Sequence, residues 1–327
     1  MNFGFVGLGN YSQNHQRAME QHEDYNLVSV YDVVPDNARK VADRFGSSVA
    51  ESIEALASDP VVEAVVITTP NAQHFSDFKT CVTNDKHVFV NVPVTTSIEE
   101  ATQMIALAKK HNVVYMAGHN LRKNPAIIYL CDKLSTGETG SLHAVEASVG
   151  GPAAYALTPD NWRYHLTQAP LLPFAQMSVV FIDLILHLMG APETVSAMMA
   201  KRDAPGETPD HGTVISQYAD GRLAYIGCSY ISQLGYEITF VGSEGKIKWD
   251  NRDDNSVTLI TPGGQDWKSF DCIDEQTEEL AEFVHCIENS TPPSCGGIDA
   301  YNVASFFDAI ERSIDSGSHA KFREFSG

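Results

Sequence analysis

Glycines, a small hydroxyl residue and an acid fall in an order that could hold a dinucleotide. Gly7-Leu8-Gly9-Asn10-Tyr11-Ser12 follows an apolar run over residues 1–6 and leads into a polar stretch through Gln16. A strand that turns through Gly-x-Gly into a helix aims unpaired backbone N–H groups, and the positive end of the helix dipole, at one point. That arrangement suits a pyrophosphate. Gly7 permits the turn, Gly9 lets phosphates approach the backbone, and Asn10 and Tyr11 complete the set that would touch them. The third glycine position is Ser12, small enough for close helix–strand packing, so the motif alone is incomplete. Asp32 strengthens it, because it ends a second apolar segment about twenty residues on, where its carboxylate accepts from ribose hydroxyls and repels a 2′-phosphate. NAD is therefore expected, with NADP left open by the nearby Arg39 and Lys40. No metal site is expected: the 12 histidines show neither HExxH nor clustered carboxylate spacing.

The elements that must position these residues alternate. Helical spacing over 36–46, with Gly46 closing it, and a short helix from Ser52 precede Glu63-Ala64-Val65-Val66-Ile67-Thr68, a continuous apolar run of the kind buried in a parallel sheet. That run ends in Thr69-Pro70-Asn71, followed by His74 and a helix to about residue 84. His87-Val88-Phe89-Val90 ends in Asn91-Val92-Pro93, Ser97 and Glu100 form a capping box, and residues 113–117 make a further strand. The fold class is therefore α/β, a doubly wound parallel sheet, with Gly7–Ser12, Asp32, Thr69–His74 and Asn91–Pro93 all at the carboxyl ends of strands where ligands bind.

Past Gly118 the pattern changes. A helix over 125–134 leads into extended segments at 142–149, 194–199, 212–218, 222–230, 236–242, 246–250 and 256–261, with hairpin signals at Asp220-Gly221 and Gly242-Ser243-Glu244-Gly245. These predict a mostly antiparallel open sheet in an α+β domain, followed by helices over 275–289 and 299–316. The expected division is 1–119 for the nucleotide domain and 120–327 for a substrate and oligomerisation domain, whose last helix could pack back on the first.

Charge narrows the partners. Lys and Arg number 22 against 42 Asp and Glu, a net charge of −20, which argues against nucleic acid or an anionic membrane as ligand, since both need clustered cations. The six cysteines form no CxxC pair and read as reduced thiols of a cytoplasmic protein. No apolar stretch reaches eighteen residues and no basic segment precedes the first strand, so neither export nor membrane spanning is expected.

The order of motifs resembles the glucose-fructose oxidoreductase / inositol dehydrogenase / rhizopine-catabolism (Gfo/Idh/MocA) family from the first strand to the last helix. The residues carrying the resemblance are Thr69-Pro70-Asn71 with His74, Lys86–Val90 before Pro93, Arg122 with Pro125, Trp162-Arg163, a central helix ending in Gly190, and Phe240–Gly245. The resemblance implies a Rossmann domain holding a nicotinamide cofactor and a second domain that closes over a sugar, a polyol or a related alcohol. It also implies a homodimer or homotetramer formed through the second sheet. Asn120, Arg122, Trp162 and Arg163 are implied to line the substrate pocket.

The family moves the alcohol proton with a Lys in E-K-P and with Asp and His in D-x-x-x-H. Here Asn91-Val92-Pro93 puts Val92 at the Lys position. Asp183-Leu184-Ile185-Leu186-His187 matches the second motif at face value, yet Asp183 lies seven residues before Gly190, where the family has a different Asp. Counting back from Gly190 puts Gln176 at the catalytic Asp and Val180 at the catalytic His, and the glycines that precede the helix become Leu171-Leu172. Both registers stay open. In the first, Asp183 and His187 share a face with Gln176 and Val180 but sit about 10 Å further along the axis. Stand-in proton handlers would be His165, Tyr164, Tyr155, Lys123 or His119. Three functions follow: an oxidoreductase with a rearranged proton donor, a cofactor-binding sensor or partner subunit without turnover, and a lyase or hydrolase assisted by NAD.

Overall fold

Apolar runs too continuous to face water on either side build the first sheet. β1 (Asn2–Val6), β2 (Asn26–Tyr31), β3 (Ser48–Val49), β4 (Ala64–Ile67), β5 (His87–Asn91) and β6 (Tyr115–Gly118) pair in the order β3-β2-β1-β4-β5-β6, all parallel. This is the doubly wound order, with its switch point between β1 and β4. The computed structural model describes residues 1–233 and 235–326. Its chain divides into two compact units, Met1–Asn120 with Asp274–Ala304, and Leu121–Ile273 with Ser305–Gly327.

In the first unit α1 (Ser12–Glu20), α2 (Pro35–Phe45), α3 (Ile53–Ser58), α4 (Asn71–Thr83) and α5 (Ile98–His111) wind between the strands. One face of the sheet packs Val65, Ile67, Phe78 and Met104. The other packs Phe3, Phe5 and Phe89 against Leu280 and Phe283 of α8 (Glu275–Asn289), with the rings of Phe89 and Phe283 5.9 Å apart. β3 has no counterpart in the sequence reading: both its residues are exposed, so neither burial nor alternation marks it. The capping box at α5 is half formed. Ser97 Oγ accepts from the Glu100 N–H at 3.3 Å, but the Glu100 carboxylate turns to Thr95, whose hydroxyl takes the Ser97 N–H at 3.0 Å.

Among the described residues the second unit carries nine strands: β7 (Leu142–Gly150), β8 (Thr194–Ala200), β9 (His211–Gln217), β10 (Leu223–Ser229), β11 (Gly235–Gly242), β12 (Lys246–Asp250), β13 (Ser256–Thr261), β14 (Gly264–Ser269) and β15 (Ala320–Lys321), in the order β14-β13-β12-β11-β7-β10-β9-β8-β15. The sheet is antiparallel except where β10 runs parallel to β7 at its centre. Buried and exposed residues alternate along β9, giving one solvated face. β14 escaped prediction because all six residues are exposed and polar residues interrupt any apolar repeat; it is held by the ladder to β13, by Trp267 Nε1 donating to Asp253 at 3.2 Å and by the Lys268 ammonium over the Tyr129 ring. α6 (Pro125–Ser135) and α7 (Val179–Met189) belong to this unit, and α9 (Gly297–Ser316) contributes its later turns to it. Among the described residues no helix is long and apolar enough to cross a membrane.

The central helix differs from expectation at its start. Residues Phe174–Ser178 wind as a π turn ahead of α7, with the Ser178 hydroxyl donating to the Phe174 carbonyl at 3.1 Å. A π turn holds more residues than an α turn, so positions before it rotate relative to those after it. Gln176 lies within the π turn, while Val180, Asp183 and His187 follow in α7 at spacings of three and four residues that keep those three on one side; Gln176 and Val180 are half-buried, Asp183 is buried and His187 exposed.

Candidate functional site

The glycine turn is built around one forced residue and one open one. Gly7 sits at φ +84°, and a Cβ there would lie 2.6 Å from the backbone nitrogen of Thr69, so only glycine fits. At Gly9 a Cβ would meet nothing within 4 Å. The backbone N–H groups of Gly9 and Asn10 donate to no group among the described residues, immediately ahead of α1. Unpaired donors at a helix N-terminus, with an open approach, are what an anion needs. Ser12 is buried and does more than leave room: its hydroxyl donates to the Gly9 carbonyl at 2.6 Å and accepts from Gln16 Nε2 at 2.9 Å.

Asp32 is held by the turn it serves. Its Oδ2 accepts the Leu8 N–H at 2.5 Å, and its Oδ1 accepts the Val34 N–H at 2.7 Å and Asn37 Nδ2 at 3.4 Å. A carboxylate offers roughly four acceptor sites, so capacity remains for a ribose hydroxyl. Arg39 pairs with Asp36 on the exposed face of α2. The donors and the acid together fit the adenosine diphosphate part of a dinucleotide.

At the neighbouring strand ends the groups brace one another. Thr68 Oγ1 donates to the Gly7 carbonyl, and Thr69 Oγ1 donates to Asp77 Oδ2 at 2.7 Å. Pro70 precedes Asn71, the first residue of α4. His74 is wholly buried, with Nε2 2.7 Å from the Thr69 carbonyl and Nδ1 3.1 Å from the carbonyls of both Pro93 and Val94. Burial pushes its pKa down, while the carbonyls pull it back up. His74 thus positions two strand ends and leaves no ring nitrogen for a ligand.

Val92 precedes Pro93 through a cis peptide and packs, half-buried, against the apolar cluster that includes Val90 and Val94. Asn91 donates to the Val92 carbonyl at 3.3 Å, and its own Oδ1 is buried without a hydrogen-bond partner among the described residues. Beside it His15 is enclosed by the rings of Phe5, Tyr11 and Phe89, its pKa lowered to about 4 by burial. Sequence reasoning passed over His15, since a histidine in the first turns of a helix carries no motif of its own. Asn120 donates to the Glu275 carboxylate at the start of α8.

In the second unit the residues assigned to a substrate pocket are held by contacts with one another and with α7. Arg122 pairs with Asp183. Trp162 and Arg163 form a short 3₁₀ turn whose cap, Asn161, accepts the Arg163 N–H at 3.0 Å. The Arg163 guanidinium lies 4.2 Å from the centre of the Trp162 ring, and its Nε donates to Gln176 Oε1 at 2.9 Å. Burial pushes the Arg163 pKa down, and the adjacent Tyr230 phenol opposes it. Tyr230, at the carboxyl end of β10, was not foreseen; nothing in its local sequence sets it apart from a core tyrosine. Leu171 and Leu172 are buried, filling the space ahead of the π turn. Of the stand-ins, His165 Nε2 rests on the Pro159 carbonyl at 2.8 Å and Tyr155 is exposed.

Comparison with known proteins gives the family of the chain and its fold. Residues 1–119 match the oxidoreductase family with an NAD-binding Rossmann fold, and residues 128–248 match the GFO/IDH/MocA C-terminal domain. Myo-inositol 2-dehydrogenase of Thermotoga maritima is 24% identical, with 100% of each chain covered. D-xylose 1-dehydrogenase [NADP(+)] of Haloarcula marismortui is 24% identical over 94% of this chain and 91% of that one. The solved structure of levoglucosan dehydrogenase with NADH and levoglucosan superposes with a TM-score of 0.91 at 19% identity, covering 99% of this chain and 100% of that one.

Proposed function

Because the chain belongs to the Gfo/Idh/MocA family, oxidoreductases with an NAD-binding Rossmann domain, we propose that it is an NAD-dependent oxidoreductase acting on a sugar, a polyol or a related small alcohol or ketone. In this reading the family's Lys, Asp and His are replaced by Val92, Gln176 and Val180. The observation that carries the proposal is the pair of unclaimed N–H groups on Gly9 and Asn10 beside the turn-bound carboxylate of Asp32.

The chain's own contributions follow from its side chains. Gly9 and Asn10 N–H groups bind the pyrophosphate, and Asp32 accepts from ribose. The bound nicotinamide supplies the hydride acceptor. Val92 and Val180 carry no proton. Gln176 orients by hydrogen bonding without titrating. Removing a positioned acid or base costs on the order of 10²–10⁴ in rate, so turnover is expected to be slow or to use another proton path.

One observation favours the competing reading, a cofactor-binding sensor or partner subunit: Val92 is packed into an apolar cluster rather than merely small. Quenching of tryptophan fluorescence by NADH tests the binding that both readings share. A panel of polyols, aldoses, inositols and sugar acids with NAD or NADP then divides them. Steady cofactor reduction with any alcohol supports the oxidoreductase, and silence across the panel supports the sensor. The triple change Val92→Lys, Gln176→Asp, Val180→His restores turnover if the site is a dormant copy of the family's. The proposed assembly is a homodimer or homotetramer through the nine-stranded sheet, which light scattering measures directly.

A further inference from the structure

The chain has ten arginines, and among the described residues nine of them rest on a carboxylate while Arg163 does not. In a protein of net charge −20 a cation without an acidic partner is unusual. This one is also half-buried. Arg122, buried in the same unit, shows the ordinary solution, a carboxylate bound through two nitrogens. Burying a guanidinium without such a partner is costly unless something else supplies the negative charge.

The group is nonetheless held in place. Trp162 stacks on its face at 4.2 Å. Asn161 fixes its backbone N–H at 3.0 Å, and Thr208 Oγ1 donates to its carbonyl at 3.2 Å. Gln176 takes Nε at 2.9 Å, and the two terminal nitrogens donate to nothing among the described residues. One edge of a planar fork is therefore oriented and unused, and that edge matches the two oxygens of a carboxylate. The neutral amide at 176 matters here. An acid at the same position would satisfy the charge from within the chain.

We propose that Arg163 is an anion anchor and that the substrate class is a carboxylate-bearing sugar, an aldonate or a uronate, bound through the terminal nitrogens of this guanidinium. The proposal rests on the oxidoreductase reading for its sugar and adds the acid. It also assigns Gln176 a positive role, because the amide holds Nε without discharging the cation.

The test is calorimetric binding to the full chain saturated with NADH, using D-gluconate and D-glucuronate against D-glucose and myo-inositol, with acetate as a bare carboxylate. The expected result is a Kd for an acidic sugar lower by about tenfold or more than that of the neutral sugars and of acetate. The preference falls to within about twofold in Arg163→Met and, independently, in Gln176→Glu, which keeps the arginine and supplies an internal partner. Circular dichroism identifies a variant that fails to fold, and the other then decides. Neutral sugars binding as tightly, a preference surviving in a folded variant, or no binding of either acidic sugar overturns the proposal. NADH quenching is read separately, so failure of the cofactor reading shows as loss of that signal and the titrations are then repeated without NADH.

Discussion

The guanidinium of Arg122 grips both carboxylate oxygens of Asp183, with Nε 2.7 Å from Oδ2 and Nη2 2.6 Å from Oδ1, at side-chain exposures of 9% and 2%. The match of Asp183 and His187 to D-x-x-x-H therefore falls on one residue bound in an ion pair and one exposed at the helix surface. Removing one member of such a pair strands the other charge. Asp183→Ala is expected to cost about 3–5 kcal/mol of stability, and Arg122→Met with Asp183→Leu to recover most of it. Urea unfolding measures both. A single variant within about 1 kcal/mol of the parent would mean that the pair contributes little to the fold.

Gly7 and Gly9 should part company under substitution. A side chain at Gly7 must adopt φ +84° and meet the Thr69 backbone, so Gly7→Ala is expected to destabilise by roughly 1–3 kcal/mol. Gly9→Val points into open space and is expected to change stability by less than about 0.5 kcal/mol. Its effect falls on NADH affinity, weakened by about tenfold or more. Thermal melts and NADH quenching on the two variants read this out, and unchanged NADH affinity in Gly9→Val would remove the turn as a phosphate site.

Acid should loosen the first unit before its carboxylates titrate. The folded-state pKa of His15 is about 4, below its value of 6.5 when solvated, so the native state refuses a proton that the unfolded chain accepts. Its contribution is complete above pH 6.5 and is lost as pH falls toward 4. Full burial makes the loss on the order of 3 kcal/mol. His74, also lowered by burial, acts in the same direction. Urea midpoints between pH 7 and about 4 should fall less steeply in His15→Gln than in the parent, and identical slopes would clear His15.

Asp210 braces the loop between β8 and β9. It accepts N–H groups from Arg202, Asp203 and Ala204 and lies 2.8 Å from His211 Nδ1. Burial pushes its carboxyl up, but the Ala204 N–H, His211 and the other backbone donors outweigh that and hold it at about 2. Its stabilising effect is present above the ordinary carboxylate range and is lost as pH falls through 2. Asp210→Ala leaves several donors unpaired and is expected to destabilise by about 2–4 kcal/mol. Proteolysis confined to residues 201–210 would report the same loss locally.

The legible parts of the sequence were those in which one physical signal dominates. Ala64–Ile67 reads as a buried strand because every residue is apolar, and Gly7 reads as a turn because nothing larger survives there. Asp32 was legible from its place at a strand end, though its clasp on Leu8 was not. The π turn at 174–178 stayed hidden because its residues would suit an α-helix equally well. Arg163 could be placed in a pocket from the resemblance, but its missing partner emerges only when every other arginine is seen beside its acid. His74 carried a motif, and its geometry assigns it to bracing strand ends.

If Asp32 and the glycine turn act as proposed, the bond from the Leu8 amide to Asp32 ties selectivity for the ribose to the shape of the phosphate loop. Any attempt to admit a 2′-phosphate by shortening or neutralising residue 32 also unfastens the loop that must receive the pyrophosphate. Changing coenzyme preference in this scaffold therefore calls for a paired substitution, one that welcomes the extra phosphate and another that clamps residue 8 afresh.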